Sequence, residues 1–399
     1  MYDAIVVGAR CAGSPTAMLL ARKGYRVLLM DRDSFPSDIM SSHYIWQPGV
    51  AKLKSWGLLD KVIASNCPPI PSVTFDIGPI ALKGNPPAAD GISEMYAPRR
   101  FVLDKILADA AVASGVELRE GFTLQEPVVD GDRVTGIQGR TQSGATVTEE
   151  ARIVIGADGP QSLVARRVGA TEYNPRPSLT CWYYSYWSGV PADGLEFYSR
   201  GSRAILVFHT NDGLTGVVTV WPSGEFHAYR SDIEGNFFKT LELVSGLADR
   251  VRGGQREERF VGTAEITNFF RKPYGPGWAL VGDAGYNKDP ITAQGITDAF
   301  CHAELLAEAI DEGFSGRKPL DEALAGYEQQ RNEGVMPMYE FTCQFHSTLE
   351  QPPVEMQQLF GALAGNQGET DRFLGTLAGT VPIPEYFSPE NMQRIIAAA

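Results

Sequence analysis

Residues 2–31 read YDAIVVGARCAGSPTAMLLARKGYRVLLMD, and this stretch decides the fold class. Its first seven residues are β-branched in their second half and end in glycine, which is typical of a buried strand in a parallel sheet. Small and apolar residues then recur at helical spacing from Ala12 to Lys23, and Gly24 ends the predicted helix. The next strand is YRVLLMD. Together these elements form a βαβ unit, so the sequence predicts an α/β fold with a Rossmann-like core.

The turn between the first strand and the helix carries a glycine pattern. Gly8 permits a tight turn, Gly13 lets helix and strand pack closely, and the helix N-terminus offers N–H groups to a diphosphate. Asp31 can accept hydrogen bonds from an adenosine ribose. Arg10 replaces the middle glycine of a dinucleotide fingerprint; its side chain can reach other diphosphate oxygens or stack on adenine. A purely structural turn explains this motif equally well.

A second motif, ARIVIGADGPQSLVARRVGA, covers residues 151–170. Here a predicted buried strand ends at Asp158 and Gly159, and a helix capped by Ser162 follows. The pattern brings a carboxylate and a backbone turn to one place. A strand-turn-helix corner without any ligand explains it as well.

The third motif, GPGWALVGDAGYNKDPITAQGITDAF, covers residues 275–300. A predicted strand ends at Gly282 and Asp283, and a polar loop leads to a helix that begins near Gly295. The carboxylate of Asp283 can accept hydrogen bonds from hydroxyl groups of a ligand. The helix N-terminus carries about half a positive charge, which suits an anionic group.

The middle of the chain has a different pattern. From about residue 171 to 264, aromatic-rich alternating runs are separated by NDG and PSG turns, which predicts a mostly antiparallel sheet inserted into the α/β unit. Earlier in the chain, the stretch from Gln47 to Ala64 predicts a helix, and the segment from residue 79 to 90 predicts a hairpin or loop. Beyond a helix at about 293–312 the chain is mainly helical and polar.

The net charge and the cysteine spacing exclude several classes of protein. The chain of 399 residues carries 35 Lys and Arg against 48 Asp and Glu, a net charge of −13, and lacks a basic run that could follow a phosphate backbone. We therefore expect no nucleic-acid partner. The five cysteines are scattered and never in CxxC spacing, which predicts neither a disulfide framework nor a metal site.

The first residues run directly into the strand pattern, and no apolar run approaches the ~20 residues of a membrane-spanning helix. These features predict a cytoplasmic protein without a membrane span. They leave its oligomeric state open.

The order and separation of the three motifs resemble the flavoprotein monooxygenases of the para-hydroxybenzoate hydroxylase type. Their relatives, the geranylgeranyl reductases and flavin-dependent halogenases, share this layout. The resemblance covers roughly residues 1–330. It implies a discontinuous FAD-binding domain (1–70, 96–170 and 265–330), a β-sheet substrate domain (71–95 and 171–264) and a helical C-terminal region (331–399).

The resemblance also implies which residues bind FAD. The first motif would bind ADP, the second would lie between the flavin and nicotinamide sites, and the third would hold the ribityl chain. Arg100 matches the family arginine that approaches FAD, and Arg99 competes for that role. The cofactor-binding residues implied are Gly8, Arg10, Cys11, Ala12, Gly13, Ser14, Asp31, Arg32, Arg100, Asp158, Gly159, Gly282, Asp283, Pro290, Gln294 and Gly295.

Two departures from the family pattern bear on the reaction. Arg10 replaces a glycine, as the reductase-like branch tolerates, and Tyr286 and Asn287 lie where the family usually has a histidine. The halogenase signature WxWxIP is absent, so we do not expect halogenation.

The resemblance implies an FAD-dependent monooxygenase with NAD(P)H as a transient co-substrate and O2 as the source of oxygen. Such an enzyme would hydroxylate or epoxidise its substrate. One alternative is a reductase of C=C bonds, which Arg10 and the GDAGYN loop favour. Another is a flavoprotein whose FAD is not catalytic.

The substrate is expected between the flavin and the inserted sheet. Few charges and many aromatic residues predict an apolar or aromatic small molecule, although about half of these aromatic residues should only pack in the core. His43 is the candidate catalytic acid or base; the alternative is a hydrogen-bonding loop histidine. The candidate substrate residues are Tyr44, Trp182, Tyr184, Tyr186, Phe208 and Trp221.

Overall fold

The computed structural model describes residues 1–264, 266–350 and 352–398. The strands are β1 (Tyr2–Val7), β2 (Val27–Met30), β3 (Val73–Asp76), β4 (Ala81–Gly84), β5 (Glu117–Arg119), β6 (Thr123–Asp130), β7 (Arg133–Arg140), β8 (Thr146–Gly156), β9 (Glu172–Arg176), β10 (Thr180–Ser188), β11 (Leu195–Arg200), β12 (Arg203–His209), β13 (Thr215–Pro222), β14 (Gln255–Arg256), β15 (Val261–Thr263), β16 (Asn268–Arg271), β17 (Tyr274–Gly275), β18 (Trp278–Leu280) and β19 (Tyr286–Asn287). The helices are α1 (Gly13–Arg22), α2 (Gln47–Ser55), α3 (Leu59–Ala64), α4 (Arg100–Ala113), α5 (Leu163–Arg167), α6 (Phe226–Arg230), α7 (Ile233–Leu241), α8 (Leu247–Arg252), α9 (Gly295–Phe314), α10 (Leu320–Glu350), α11 (Val354–Leu363), α12 (Gln367–Ala378), α13 (Ile383–Tyr386) and α14 (Pro389–Ala397).

The first sheet has the strand order β17-β18-β8-β1-β2-β5, and β6 and β7 extend it beside β8. Strands β18, β8, β1, β2 and β5 are parallel to one another. On one face α1, α4 and α9 pack together over an apolar core. Since parallel strands end at the same edge, the turns after β1, β8 and β18 come together there. This confirms the α/β fold.

The second sheet has the strand order β14-β10-β13-β12-β11-β3-β4, with β15 also paired to β10. Its pairings are antiparallel except for β11 and β3, which run parallel. The predicted, mostly antiparallel inserted sheet is therefore present. One face packs against α6, α7 and α8, and the other against the C-terminal helices.

Two local predictions need correction. Residues 226–252 form α6, α7 and α8 rather than further sheet. In α7 the side chain of Asp232 caps the helix by accepting a hydrogen bond from the N–H of Gly235, and apolar residues recur at helical spacing. The helix expected from Gln47 to Ala64 is divided into α2 and α3 at Gly57, whose φ of 76° ends a helix.

The C-terminal helices close the apolar core of the second sheet. Phe345 of α10, Leu359 of α11 and Leu377 of α12 are buried in one cluster with the sheet residues. In the described part of the chain no helix is both long and apolar enough to cross a membrane.

Candidate active site

The three motifs meet at the carboxyl edge of the first sheet. Gly8 has a φ of +103°, and a Cβ there would lie 2.4 Å from the carbonyl oxygen of Ala157 in the second motif. Gly282 has a φ of +60°, and a Cβ there would lie 2.6 Å from Cβ of Ala12 in the first motif. Both positions require glycine because the backbones pass so close together. Segments more than a hundred residues apart in sequence thus build one cleft.

Asp31 lies at the end of β2 with its carboxylate turned toward the first turn. Its oxygens accept hydrogen bonds from the N–H of Ala9 at 2.7 Å and the N–H of Asp33 at 2.9 Å. Burial raises the pKa of this carboxyl, while these N–H groups act in the opposite direction. Arg32 is 77% exposed and lies beside Asp33. Asp31 is therefore tied to the turn after β1, whereas the side chain of Arg32 lies in solvent.

The carboxylate of Asp104 binds both arginines near the cleft, Arg10 and Arg100. This residue was not among those predicted from the sequence. Its fully buried carboxylate accepts from Arg10 Nη1 at 2.7 Å and from Arg100 Nε and Nη2, both at 3.1 Å. Arg10 also pairs with Asp33 at 2.8 Å. Two carboxylates thus hold the Arg10 guanidinium, so it is not free to stack on an adenine ring. The i,i+4 spacing of Arg100 and Asp104 was the only sequence signal for this cluster.

The structure distinguishes the two candidate arginines at the start of α4. Arg100 faces Asp104 and lies close enough to Asp283 for their charges to interact. The guanidinium of Arg99 stacks on the ring of Tyr186 at 3.8 Å and pairs with Glu258 at 2.7 Å. Arg100 thus lies near Asp283 at the cleft, whereas the side chain of Arg99 packs against Tyr186 of the second sheet.

Asp158 of the second motif acts as a helix cap. Its carboxylate accepts from the N–H groups of Leu163 at 2.7 Å and Val164 at 3.2 Å, and Ser162 donates its hydroxyl to the same carboxylate. The next residue, Gly159, has a φ of +78° and no heavy atom within 4 Å of where a Cβ would lie. The carboxylate is engaged within the protein, and Gly159 leaves open space beside it.

Asp283 of the third motif lines the wall of the cleft. Its side chain is exposed, yet desolvation by the surrounding protein raises the pKa of its carboxyl to about 6, against the opposing charges of Arg100 and Lys288. Exposure together with desolvation fits a group on the wall of a deep cleft better than a group on the outer surface. Gly295, the first residue of α9, is also exposed, and no heavy atom lies within 4 Å of its Cβ position.

The loop between Asp283 and α9 is held by the C-terminal helices. Pro290 begins a short 3-10 turn, and Ala293 follows it with a φ of +53°. The side chain of Gln294 is buried and donates its amide to the carbonyl oxygen of Leu377 in α12. The Gln294 side chain is therefore committed to the protein, although it was predicted to bind the cofactor.

His43 is buried beside two of the predicted substrate residues. Its Nε2 is hydrogen-bonded to the hydroxyl of Tyr186, and Tyr184 lies edge-on to its ring at 6.1 Å. Its Nδ1 has no hydrogen-bond partner among the described residues. Burial, with the charges of Arg100 and Arg99, keeps the pKa of His43 well below its usual range. The imidazole is therefore neutral at pH 7.

Most of the predicted substrate residues share one face of the second sheet. Trp221 is the exception, because its indole N–H donates to Thr240 Oγ1 at 2.8 Å and its ring packs against Tyr229 on the opposite face. The prediction that Trp221 lines the pocket is therefore wrong. The other five lie in the cluster that faces the C-terminal helices: Tyr44, Trp182, Tyr184, Tyr186 and Phe208.

A small apolar cavity of about 20 Å³ lies between this face, the C-terminal helices and the loop at Ile291–Ala293. Its lining includes Phe75, Phe197 and Leu206 of the sheet and Phe345 of α10, and none of its lining residues is charged. A larger cleft of about 640 Å³ opens near Met1 and Arg152, at the opposite edge of the first sheet. Of these two, the small cavity adjoins the loop of the third motif, whereas the larger cleft lies at the end of the first sheet where β1 begins.

The residues at the carboxyl edge fit FAD. Asp31 and Asp283 offer carboxylates toward one cleft, and the N-termini of α1 and α9 open toward the same edge. Hydroxyl groups suit the carboxylates, and a diphosphate suits the helix N-termini. The side chain of Asp283 is exposed although the residues on either side of it are buried, which leaves its carboxylate available to a ligand.

Comparisons with known proteins agree with this geometry. Digeranylgeranylglycerophospholipid reductase 2 of Methanothermobacter thermautotrophicus is 26% identical over 88% of this chain and 88% of its own length. The solved structure of a triple mutant of the flavin-dependent brominase Bmp2 has a TM-score of 0.83 at 18% identity, with coverage of 100% and 99%. PqsL of Pseudomonas aeruginosa, described as a probable FAD-dependent monooxygenase, has a TM-score of 0.77 at 20% identity, with coverage of 92% and 100%. These two structures establish similarity of fold.

A family model described as FAD binding domain matches residues 1–233, more than half of the chain. Its match includes the first two motifs and the start of α4, and the third motif completes the same cleft. The chain belongs to this FAD-binding domain family and is an FAD-dependent oxidoreductase.

Proposed function

We propose that the protein is an FAD-dependent monooxygenase that uses NAD(P)H and O2 to hydroxylate or epoxidise an apolar or aromatic small molecule. The FAD-binding family supports the cofactor, and the uncharged lining of the cavity beside the loop of the third motif supports the apolar substrate. In the overall reaction the substrate gains one oxygen atom. The second oxygen atom leaves as water, which takes up the hydride of NAD(P)H (two electrons and one proton) and one further proton from solvent.

Four features of the cleft would hold the cofactor. Asp31 would accept hydrogen bonds from the adenosine ribose, and the N-terminus of α1 would face the diphosphate. Asp283 would accept from the ribityl hydroxyls, and the N-terminus of α9 would stabilise negative charge on the ring system. FAD, when bound, supplies the two-electron redox chemistry.

The remaining residues would bind the substrate and exclude water. Phe75 and Phe197 stack with their ring centroids 5.2 Å apart, and Phe345 of α10 packs against both. An apolar wall of this kind binds an apolar molecule by burying its surface. A cavity of about 20 Å³ is too small for such a molecule, so binding requires these side chains or the C-terminal helices to move.

His43 and Tyr186 form the proton-handling group in this proposal. Because the pKa of His43 is depressed, its ring is neutral, and in the tautomer protonated at Nδ1 its Nε2 accepts a hydrogen bond from the hydroxyl of Tyr186. Burial raises the pKa of Tyr186 well above its usual range, against the smaller opposing effect of the Arg99 charge, so the phenol keeps its proton. His43 could thus supply or take up a proton at a buried position without a charge on the imidazole in the resting state.

A reductase of C=C bonds is the second candidate. The digeranylgeranylglycerophospholipid reductases favour it, since two of them are 26% and 28% identical and match 88% and 78% of this chain. Reduction of a C=C bond consumes a hydride and a proton and needs no oxygen. The buried pair of His43 and Tyr186 offers a proton source for that reaction as well.

Anaerobic turnover separates the two candidates. The FAD-loaded protein would be mixed with NADPH or NADH and a panel of apolar aromatic and polyprenyl compounds, with and without labelled O2. The monooxygenase proposal expects product only with O2 and with one labelled oxygen atom in it. Saturated product formed without O2 would establish the reductase instead, and a flavin that neither nicotinamide reduces would indicate a non-catalytic cofactor.

A further inference from the structure

The turn that carries Asp283 is held from behind by two arginines. Arg271 Nη1 donates to the carbonyl oxygen of Ala284 at 3.0 Å, and Arg331 Nη1 donates to that of Gly285 at 3.0 Å. Arg331 Nη2 also donates to the carbonyl oxygen of Arg271 at 3.1 Å. These bonds connect α10 to the backbone of the turn on the side away from the cleft.

Arg331 is a buried charged side chain that contacts backbone carbonyl groups. It is only 1% exposed, and no carboxylate lies within ion-pair distance of it in the described ranges of the chain. Its other partners are the hydroxyl of Tyr173 at 2.8 Å and the side-chain oxygen of Asn332. Burying an arginine without a counter-charge is costly, and its bonds to carbonyl groups offset that cost. An apolar side chain could fill the same space without this cost, but it could not fix the carbonyl groups.

Gly285 makes room for this guanidinium. Its φ of −109° is accessible to any residue, so backbone conformation does not demand glycine there. A Cβ at this position would lie 3.0 Å from Arg331 Nη1, which is closer than an ordinary contact. The loop sequence GDAGYN departs from the family pattern. Its glycine at position 285 leaves the space that the Arg331 guanidinium occupies.

We propose that Arg331 is a positioning residue for the flavin. By fixing the carbonyl groups of Gly285 and Arg271, it holds the turn so that the carboxylate of Asp283 points into the cleft. Gly285 contributes to the same arrangement, because a Cβ there would press on the guanidinium and force it to shift from its present position. The inference rests on FAD binding in the cleft and is independent of which reaction follows.

The first test compares FAD binding among variants at Arg331. Flavin fluorescence would be titrated with apo protein, and the midpoint potential of the bound flavin would be measured. We expect R331M to weaken FAD binding about tenfold and R331K by a smaller factor, since lysine keeps the charge but not both bonds. Y173F removes a partner of Arg331 that lies outside the turn. This control should stay within about twofold of the wild type.

The second test uses the steric pairing of Gly285 with Arg331. G285A should weaken FAD binding about fivefold in the wild-type background, because the new Cβ displaces the guanidinium. In the R331M background the same change should have little further effect. This non-additivity would show that G285A acts through the Arg331 guanidinium, and the unfolding temperatures of the same apo variants measure how much stability is lost.

Unchanged FAD affinity and potential in folded R331M would overturn the proposal, and so would additive effects of G285A and R331M. The unfolding temperature of each apo protein shows whether it folds. If R331M does not fold, G285A alone decides: FAD affinity within about twofold of wild type would reject the role of Arg331.

Discussion

Replacing Asp104 with asparagine removes the one carboxylate that Arg10 and Arg100 share. This carboxylate has no exposed surface, and three hydrogen bonds of 2.7 to 3.1 Å join it to the two guanidinium groups. Arg10 and Arg100 are themselves only 15% and 11% exposed. Loss of one partner from a buried ion pair costs about 3–5 kcal/mol, because the remaining charge stays desolvated. We therefore expect D104N to lower the free energy of unfolding of the apo protein by about 3 kcal/mol.

The matched control is D109N in the same helix. Asp109 pairs with Lys105 at 2.5 Å, but both side chains are about half exposed, at 55% and 41%. An exposed i,i+4 pair contributes below about 0.5 kcal/mol. Urea unfolding of the two apo variants and the wild type measures the difference. Equal loss of stability in D104N and D109N would refute the assignment of Asp104 as the centre of the arginine cluster.

Three further predictions concern the cleft and the sheet. Desolvation raises the pKa of Asp283 to about 6 in the folded apo protein, so apo stability should fall as pH rises from about 4 to about 6. D283N should abolish that fall, raise the apo unfolding temperature at pH 7 and weaken FAD binding; a lower unfolding temperature at pH 7 would contradict this. Y186F should slow product formation by about a hundredfold while flavin reduction by nicotinamide stays unchanged, because only the proton relay through His43 is broken. Stopped-flow reduction and steady-state turnover measure the two steps, and equal slowing of both would argue against the relay. W221F should leave substrate KM unchanged, since this ring lies on the far face of the sheet; an altered KM would place the substrate elsewhere.

The sequence predicted the parallel core of the fold because its signals are local. Glycine after a β-branched run marks the end of a buried strand, and parallel strands bring such ends to one edge. Gly8 and Gly282 illustrate this, since each is required by contact with another motif. The division into domains and the roles of individual cofactor residues stay predictions.

Other features depended on register and long-range contacts that the sequence does not reveal. Trp221 pairs with Cys181 across the sheet, so the alternation that places Trp182 and Tyr184 on the face of the C-terminal helices places Trp221 on the opposite face. Asp104 lies within a helix, and its partner Arg10 is 94 residues away. Arg331 lies in a helix whose sequence carries no motif, and its partners are backbone carbonyl groups. Contacts of this kind become visible only once the packing of α10 is known.

Titration of the apo protein with FAD tests the central claim most directly. Flavin fluorescence would be followed for the wild type, for variants at the two cleft carboxylates Asp31 and Asp283, and for D109N as an exposed control. We expect one FAD bound per chain in the wild type and D109N, and clearly weaker binding in D31N and D283N. A wild type that binds no FAD, or cleft variants that bind it as tightly as D109N, would contradict the placement of the cofactor at this edge of the sheet.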